Sequence, residues 1–227
     1  MKLTPVVTCE HGGNMIPPAY NHLFTNASEV LKSHRGWDPG ALEIANELSR
    51  HLNAPLLKCE ATRLLVEPNR SLFSESLFSE YSARLTAAER EEVLKGYYHP
   101  HRSSVEKWIE ASIGRIVHLS VHSFTPVLNN ITRLVDVGLL FDPDRSNEAL
   151  FCRKYRDALM TLLPEKTISF NAPYKGIDDG FTTHLRTVFD DDKYLGIEIE
   201  VNQKYTEPMV NEEIVDALKR ALDSTLR

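Results

Sequence analysis

The sequence predicts an α/β protein built in three layers, with a mostly parallel central sheet and helices on both of its faces. Short segments rich in Val, Ile and Leu take turns with longer segments of helical pattern, the order expected when helices cross back over a parallel sheet. At 227 residues, 42% hydrophobic and 26% charged, the chain is long enough to close a sizeable core. No repeat, low-complexity tract or linker divides it, so residues 1–227 are read as a single domain.

Pro5 to Cys9 is apolar and β-branched and reads as the first strand, ended by Glu10-His11 and the glycines Gly12 and Gly13. A helix from Pro39 to Leu52 follows Asp38, with proline at a tolerated early position. Pro55 to Cys59 reads as a strand, and the Ser- and Phe-rich stretch Asn69 to Ser82 as a loop suited to a mobile flap. Thr86-Ala87-Ala88-Glu89 has capping-box spacing and opens a helix to Tyr97, with a further helix from Pro100 to Ile113. Strands are then expected over Arg115 to His122, Val135 to Phe141 and Leu195 to Val201, and helices over Asn147 to Leu163 and Val210 to Leu226. In open sheets of this class the ligand crevice lies beyond the carboxyl ends of the strands.

Composition narrows the function. A net charge of -6 leaves no basic surplus for phosphates, and no Lys/Arg run or finger spacing is present, so nucleic acid is not expected as a partner. No apolar run approaches the ~18 residues of a membrane span, and the N-terminus lacks a secretory pattern, so no membrane is expected either. Three widely spaced cysteines, Cys9, Cys59 and Cys152, make neither a zinc knuckle nor a disulfide framework and suit a reducing compartment. A cytoplasmic location is the expectation. Nothing in the sequence bears on oligomeric state.

Five segments carry candidate chemistry. In "PVVTCEHGGN" a strand delivers His11 into a glycine loop, with nothing bulky beside the imidazole. In "RIVHLSVHSFTP" the two-residue period puts His118, Ser120 and His122 on one face, His118 as a core histidine bonded to backbone and His122 at the carboxyl end. "TRLLVEPNRS" offers Arg63, Asn69 and Arg70, and an arginine fork beside an asparagine suits an anionic group. "LGIEIEVNQ" puts Glu198 and Glu200 on one strand face, where carboxylates are costly unless paired, protonated or near a metal. "NAPYKGIDDGFTTHLR" reads as a glycine-rich loop and adds Tyr174, Asp179 and Arg186. His22, His34, His51 and His99 stand in polar surroundings and read as surface or loop residues.

Taken in order, "TCEHGGN", "HRGWDPGA", "RLLVEPNRS", "VHSFTP", "DVGLL", "NAPYKGIDDG" and "GIEIEVNQ" resemble the N-formylglutamate amidohydrolase family over essentially the whole chain. That family is similar in fold to the zinc carboxypeptidases and aspartoacylase. The resemblance implies a metal ligand at His11, with Gly12 and Gly13 leaving space for metal and substrate, and a second ligand at His122 ahead of Ser123. It implies a substrate clamp at Asn69 and Arg70 and a general base at Glu200; Glu198, further from the strand's carboxyl end, is then expected deeper and paired to a cation. The pattern departs at Asn14, which stands where a His-x-x-Glu motif has its glutamate. Asp38, before a helix, is the expected third ligand; Asn14 is the alternative, with Glu10 level with it.

On this reading one zinc ion per chain serves the cleavage of an N-acyl amino acid, N-formyl-L-glutamate giving formate and L-glutamate. Glu200 acts as base, zinc and Arg63 steady the oxyanion, and Tyr174 and Arg186 join the substrate contacts. Two other readings stay open: a hydrolase of another N-acyl amino acid or small peptide amide, and a non-catalytic relative that binds a small carboxylate.

Overall fold

The structure is a computed structural model and describes residues 3–226. Its elements run β1 (Leu3–Cys9), the short α1 (Ser28–Lys32), α2 (Ala41–Leu52), β2 (Leu56–Lys58), α3 (Ala87–Val93), α4 (His99–Ala111) and β3 (Arg115–Phe124). There follow the two-residue strands β4 (Val127–Leu128) and β5 (Ile131–Thr132), then β6 (Val137–Leu140), α5 (Ser146–Leu162), β7 (Ile168–Phe170), α6 (Phe181–Val188), β8 (Tyr194–Asn202) and α7 (Glu212–Thr225).

Six strands form one sheet in the order β2-β1-β3-β8-β6-β7, and β4 pairs with β5 as a separate small hairpin. Strands β2, β1, β3 and β8 are mutually parallel; β6 runs antiparallel to β8, and β7 is parallel to β6. The sheet is thus mostly parallel, with helices on both faces. On one face α2, α5 and α7 bury Ile44, Leu48, Tyr155, Leu159, Leu218 and Leu222 against Val117, Leu119, Val121, Ile197, Ile199 and Val201. On the other, α4 and α6 supply Val105, Ile109, Phe181 and Leu185 against Val6, Ile116 and Tyr194.

The pleat sorts chemistry from core. Because side chains alternate across a strand, the residues between those apolar positions point to the α4/α6 face. In register they form rows across neighbouring strands: Thr8, Ser120 and Glu198 in one, His122 and Glu200 in the next. The apolar half of each strand secures burial, and the polar half builds a wall that ends at the carboxyl edge.

Several expectations are corrected. The stretch read as a loop before Arg186 contains α6, and the three-residue β7 and the β4–β5 hairpin were not expected. The helices expected as separate run on through a π-helical turn over Leu94–Tyr98, while the Thr86–Glu89 capping box is present. The Asn69–Ser82 segment is not a free flap. Leu77 packs in a small second core with Leu64, Leu65, Val66 and Tyr98, and the Ser79 and Ser82 hydroxyls both donate to the Leu64 carbonyl. Gly12 and Gly13 serve close packing rather than ligand space: a Cβ on Gly13 would stand 2.7 Å from the Glu60 carbonyl oxygen, and one on Gly12 3.1 Å from that of Cys59. No helix among the described residues is long and apolar enough to cross a membrane.

Candidate active site

Strand ends and the turns after them bring three donor atoms together. His11 follows β1, Asp38 precedes α2, and His122 lies near the end of β3. His11 Nδ1 is 3.1 Å from Asp38 Oδ2, His122 Nδ1 is 2.9 Å from the same oxygen, and the two Nδ1 atoms are 3.2 Å apart. All three residues are buried, and they form a potential metal-holding cluster among the described residues. Two imidazole nitrogens and a carboxylate oxygen suit zinc, whose bonds of about 2.0–2.1 Å in a tetrahedron set donors about 3.3 Å apart. The triangle fits that ion.

The far nitrogens of both imidazoles are also engaged. His11 Nε2 lies 2.5 Å from Glu67 Oε1, and His122 Nε2 lies 2.9 Å from Ser120 Oγ and 3.3 Å from Glu10 Oε2. Ser120 donates to Glu10 Oε2 at 2.6 Å, and His101 of α4 reaches Glu10 Oε1 at 3.3 Å. A carboxylate behind each histidine fixes the ring and leaves Nδ1 as the converging atom. Burial opposes a charge on His122, but its bonds to Asp38 and Glu10 outweigh that and raise its pKa well above the usual value. For His11, burial and Arg63 oppose the charge while Glu67 and Asp38 raise the pKa. Burial also works against the Asp38 carboxylate, but His11 and His122 hold its pKa well below the ordinary range.

Beside this triangle stands Glu200, in register with His122. It is 5% exposed and its Oε2 has no hydrogen-bond partner among the described residues. Burial lifts its pKa to about 7, against the pull of His122 and with Asp38 and Glu198 adding to the rise. An unpaired carboxylate oxygen beside a cavity is a group held ready for a proton. The cavity is lined by the triangle, Glu200, Glu198, Arg63, Asn69, Arg70, Tyr174 and the Asp178–Gly180 turn, among others.

The remaining candidates divide. Arg70 Nη1 donates to the carbonyls of Asn69 (2.8 Å) and Asp179 (2.9 Å), and Arg70 has no carboxylate partner among the described residues. Asn69 Oδ1 accepts from the Phe181 amide at 2.6 Å, so its Nδ2 is uncommitted. Tyr174 is exposed at the rim, its hydroxyl accepting from Arg133. Arg63 lines the cavity but spends its fork on Glu67 Oε2 and Asp38 Oδ1, which makes it an orienting group rather than an oxyanion donor.

Others lie elsewhere. Arg186 is buried against Glu148, away from the cavity lining, because that acid on α5 needs a partner. Asn14 is not a ligand: its Nδ2 donates to the Leu31 carbonyl. Glu198 has no cation partner among the described residues; its partner is the Thr182 hydroxyl. His118 bonds to side chains rather than backbone, Thr8 Oγ1 and Tyr194 OH, both at 2.7 Å. Glu67 was missed, although a carboxylate closing the buried run Leu64-Leu65-Val66 signals a partner, since a buried charge must be paired.

Sheet topology and site together place the chain among α/β proteins that carry a histidine–carboxylate–histidine cluster at their strand ends. Comparison with known proteins narrows this. The family model for N-formylglutamate amidohydrolase matches residues 3–206. The chain belongs to that family, and its chemistry is the hydrolysis of amide bonds. A crystal structure of an Agrobacterium tumefaciens gene product is similar at 29% identity and a TM-score of 0.79, covering 98% of this chain and 90% of that one. The N-formylglutamate amidohydrolase of Ralstonia eutropha shares the fold at 18% identity and a TM-score of 0.65, covering 100% of this chain and 92% of that one. No curated protein sequence matches.

Proposed function

We propose that the protein is a zinc-dependent amidohydrolase of small anionic N-acyl amino acids, with N-formyl-L-glutamate as substrate and formate and L-glutamate as products. The observation that carries this reading is the convergence of His11 Nδ1, Asp38 Oδ2 and His122 Nδ1 within about one ligand sphere, with the unpaired Glu200 Oε2 beside it. One ion per chain would be held by those three atoms. Zinc there supplies a Lewis acid for the amide carbonyl and lowers the pKa of a water.

The chain's own groups account for the rest. Arg70 and Asn69 hold the substrate's carboxylate, the guanidinium by its fork and the asparagine through Nδ2. Glu200 Oε2 takes a proton from the attacking water and returns it to the amide nitrogen as the C–N bond breaks, so that one water and one amide give one acid and one amine. Arg63 holds Asp38 and Glu67 in place, and Glu67 and Glu10 keep the two imidazoles from turning.

The test is metal analysis of the purified protein together with turnover of N-formyl-L-glutamate, N-acetyl-L-aspartate and a dipeptide. About one zinc per chain and preferred release of formate support the reading. Turnover of another substrate in preference overturns the formyl assignment, and full turnover by chelated, zinc-free protein overturns the metal.

A further inference from the structure

Arg63, Arg102 and Arg186 are buried or largely so, and two of them have acids. Arg63 meets Glu67 and Asp38, and Arg186 meets Glu148. Arg102, on the second turn of α4, has none among the described residues, although it is only 6% exposed. A buried cation without a counter-charge is costly, so its surroundings must compensate.

They do so in one direction. The Arg102 guanidinium lies between two rings, 5.0 Å from the centroid of Tyr98 and 4.5 Å from that of Phe181. Its Nη1 donates to the Pro68 carbonyl at 3.1 Å and to the Arg70 carbonyl at 3.4 Å. The Tyr98 hydroxyl donates to that same Arg70 oxygen at 2.7 Å, and the Phe181 amide donates to Asn69 Oδ1. Every one of these groups therefore grips the stretch Pro68 to Arg70 as well as Arg102. The π-helical turn over Leu94–Tyr98 comes directly before α4, and such turns recur where a helix must aim side chains at a functional feature.

We infer that Arg102 is the positioning residue of the carboxylate clamp: it fixes the Pro68–Arg70 backbone through two carbonyls and adds a second positive charge, bonded to no carboxylate among the described residues, behind the clamp. This rests on the reading of Arg70 as a carboxylate anchor. The contrast with its neighbours agrees. Burial lowers the Arg102 pKa, and Tyr98 and the more distant carboxylates Glu106, Glu10 and Asp179 do not make up for it, whereas for Arg63 and Arg186 the paired acids outweigh burial and raise it. Arg102 touches no reacting atom. Its effect should appear in anion binding rather than in turnover at saturation.

The experiment uses the full zinc-loaded chain and glutarate, a plain dicarboxylate, as the probe, with affinity read by titration calorimetry. Arg102→Met should weaken glutarate at least about tenfold, about 1.4 kcal/mol, and raise KM for N-formyl-L-glutamate by a similar factor. Zinc content should stay at the wild-type level and kcat within about threefold. Arg102→Lys keeps the charge but not the fork and should recover part of the affinity. If Arg102→Met does not fold, Tyr98→Phe removes the other donor to the Arg70 carbonyl and should weaken glutarate about threefold. Glutarate affinity unchanged in the variant that folds overturns the proposal, as does a loss of kcat and zinc in step with KM. Wild-type protein that binds no glutarate overturns the clamp itself and this inference with it, whereas wild-type binding with an indifferent variant overturns Arg102 alone.

Discussion

Replacing Glu67 separates a metal-orienting carboxylate from one that only stabilises the fold. Its Oε1 accepts from the Asn69 amide at 3.0 Å and faces His11 Nε2 at 2.5 Å, while Oε2 accepts from Arg63. Glu67→Gln keeps the shape and one acceptor, but its amide must turn donor hydrogens either toward Arg63 or toward His11, so one of the two contacts fails. Loss of a carboxylate behind a metal-binding imidazole costs about 10–100-fold in metal affinity, or about 1.4–2.7 kcal/mol. Glu67→Ala also breaks a buried ion pair and leaves Arg63 with Asp38 alone, which should lower the stability of the zinc-free protein by about 3–5 kcal/mol. Zinc competition against a chromogenic chelator reads the first effect and denaturant unfolding after chelation reads the second. Wild-type zinc affinity in a folded Glu67→Gln protein would show that Glu67 does not act on the metal site through His11.

Glu200→Gln should keep zinc and lose at least about 100-fold in turnover, the usual scale for a general base, and Glu198→Gln, bonded only to Thr182, should lose far less; the reverse order would exchange their roles. Arg70→Lys should raise KM sharply because an ammonium cannot reproduce the fork, and unchanged steady-state kinetics would make Arg70 a purely structural bridge to Asp179. His118 is buried and neutral, burial holding its pKa down to about 4, so between about pH 6.5 and 4 the unfolded chain carries a proton that the folded one refuses. Stability should therefore fall with pH across that window, by up to about 3 kcal/mol from this group, and level off below it; His118→Asn should flatten the slope in urea titrations, and an identical slope would refute the assignment.

What the sequence discloses about the site follows from periodicity. His122 and Glu200 can be placed because a two-residue alternation puts them on the non-core face at the ends of apolar strands, and β3 and β8 then pair them directly. Asp38 can be proposed from its place before a helix, since a donor at a helix start is held by rigid backbone. The partners behind these residues are less legible. Glu67, Glu10 and His101 meet the ligands across 56, 112 and 91 positions or act through one another, and no local pattern encodes such distances. Arg186 misleads for the same reason: the acid that claims it, Glu148, is 38 residues away on α5. Helix α6 is hidden by its composition, because Thr182 and Thr183 are β-branched and the preceding glycines and aspartates read as turn.

The strand order has one further consequence, for how the molecule assembles itself. Strand β8 sits between β3 and β6 yet is the last strand of the chain, so it joins two parts of the sheet that lie far earlier in the sequence. Until residues 194–202 are available, β3 and β6 each present an open edge, and closing the sheet demands pairings over long sequence separations, the slow kind. The strand that completes the sheet is also the one that carries Glu200. A nascent chain can bring His11, Asp38 and His122 together before β8 is made, but the proton-accepting carboxylate arrives only with the final stitch, which makes the last strand to pair the one that also completes the active site.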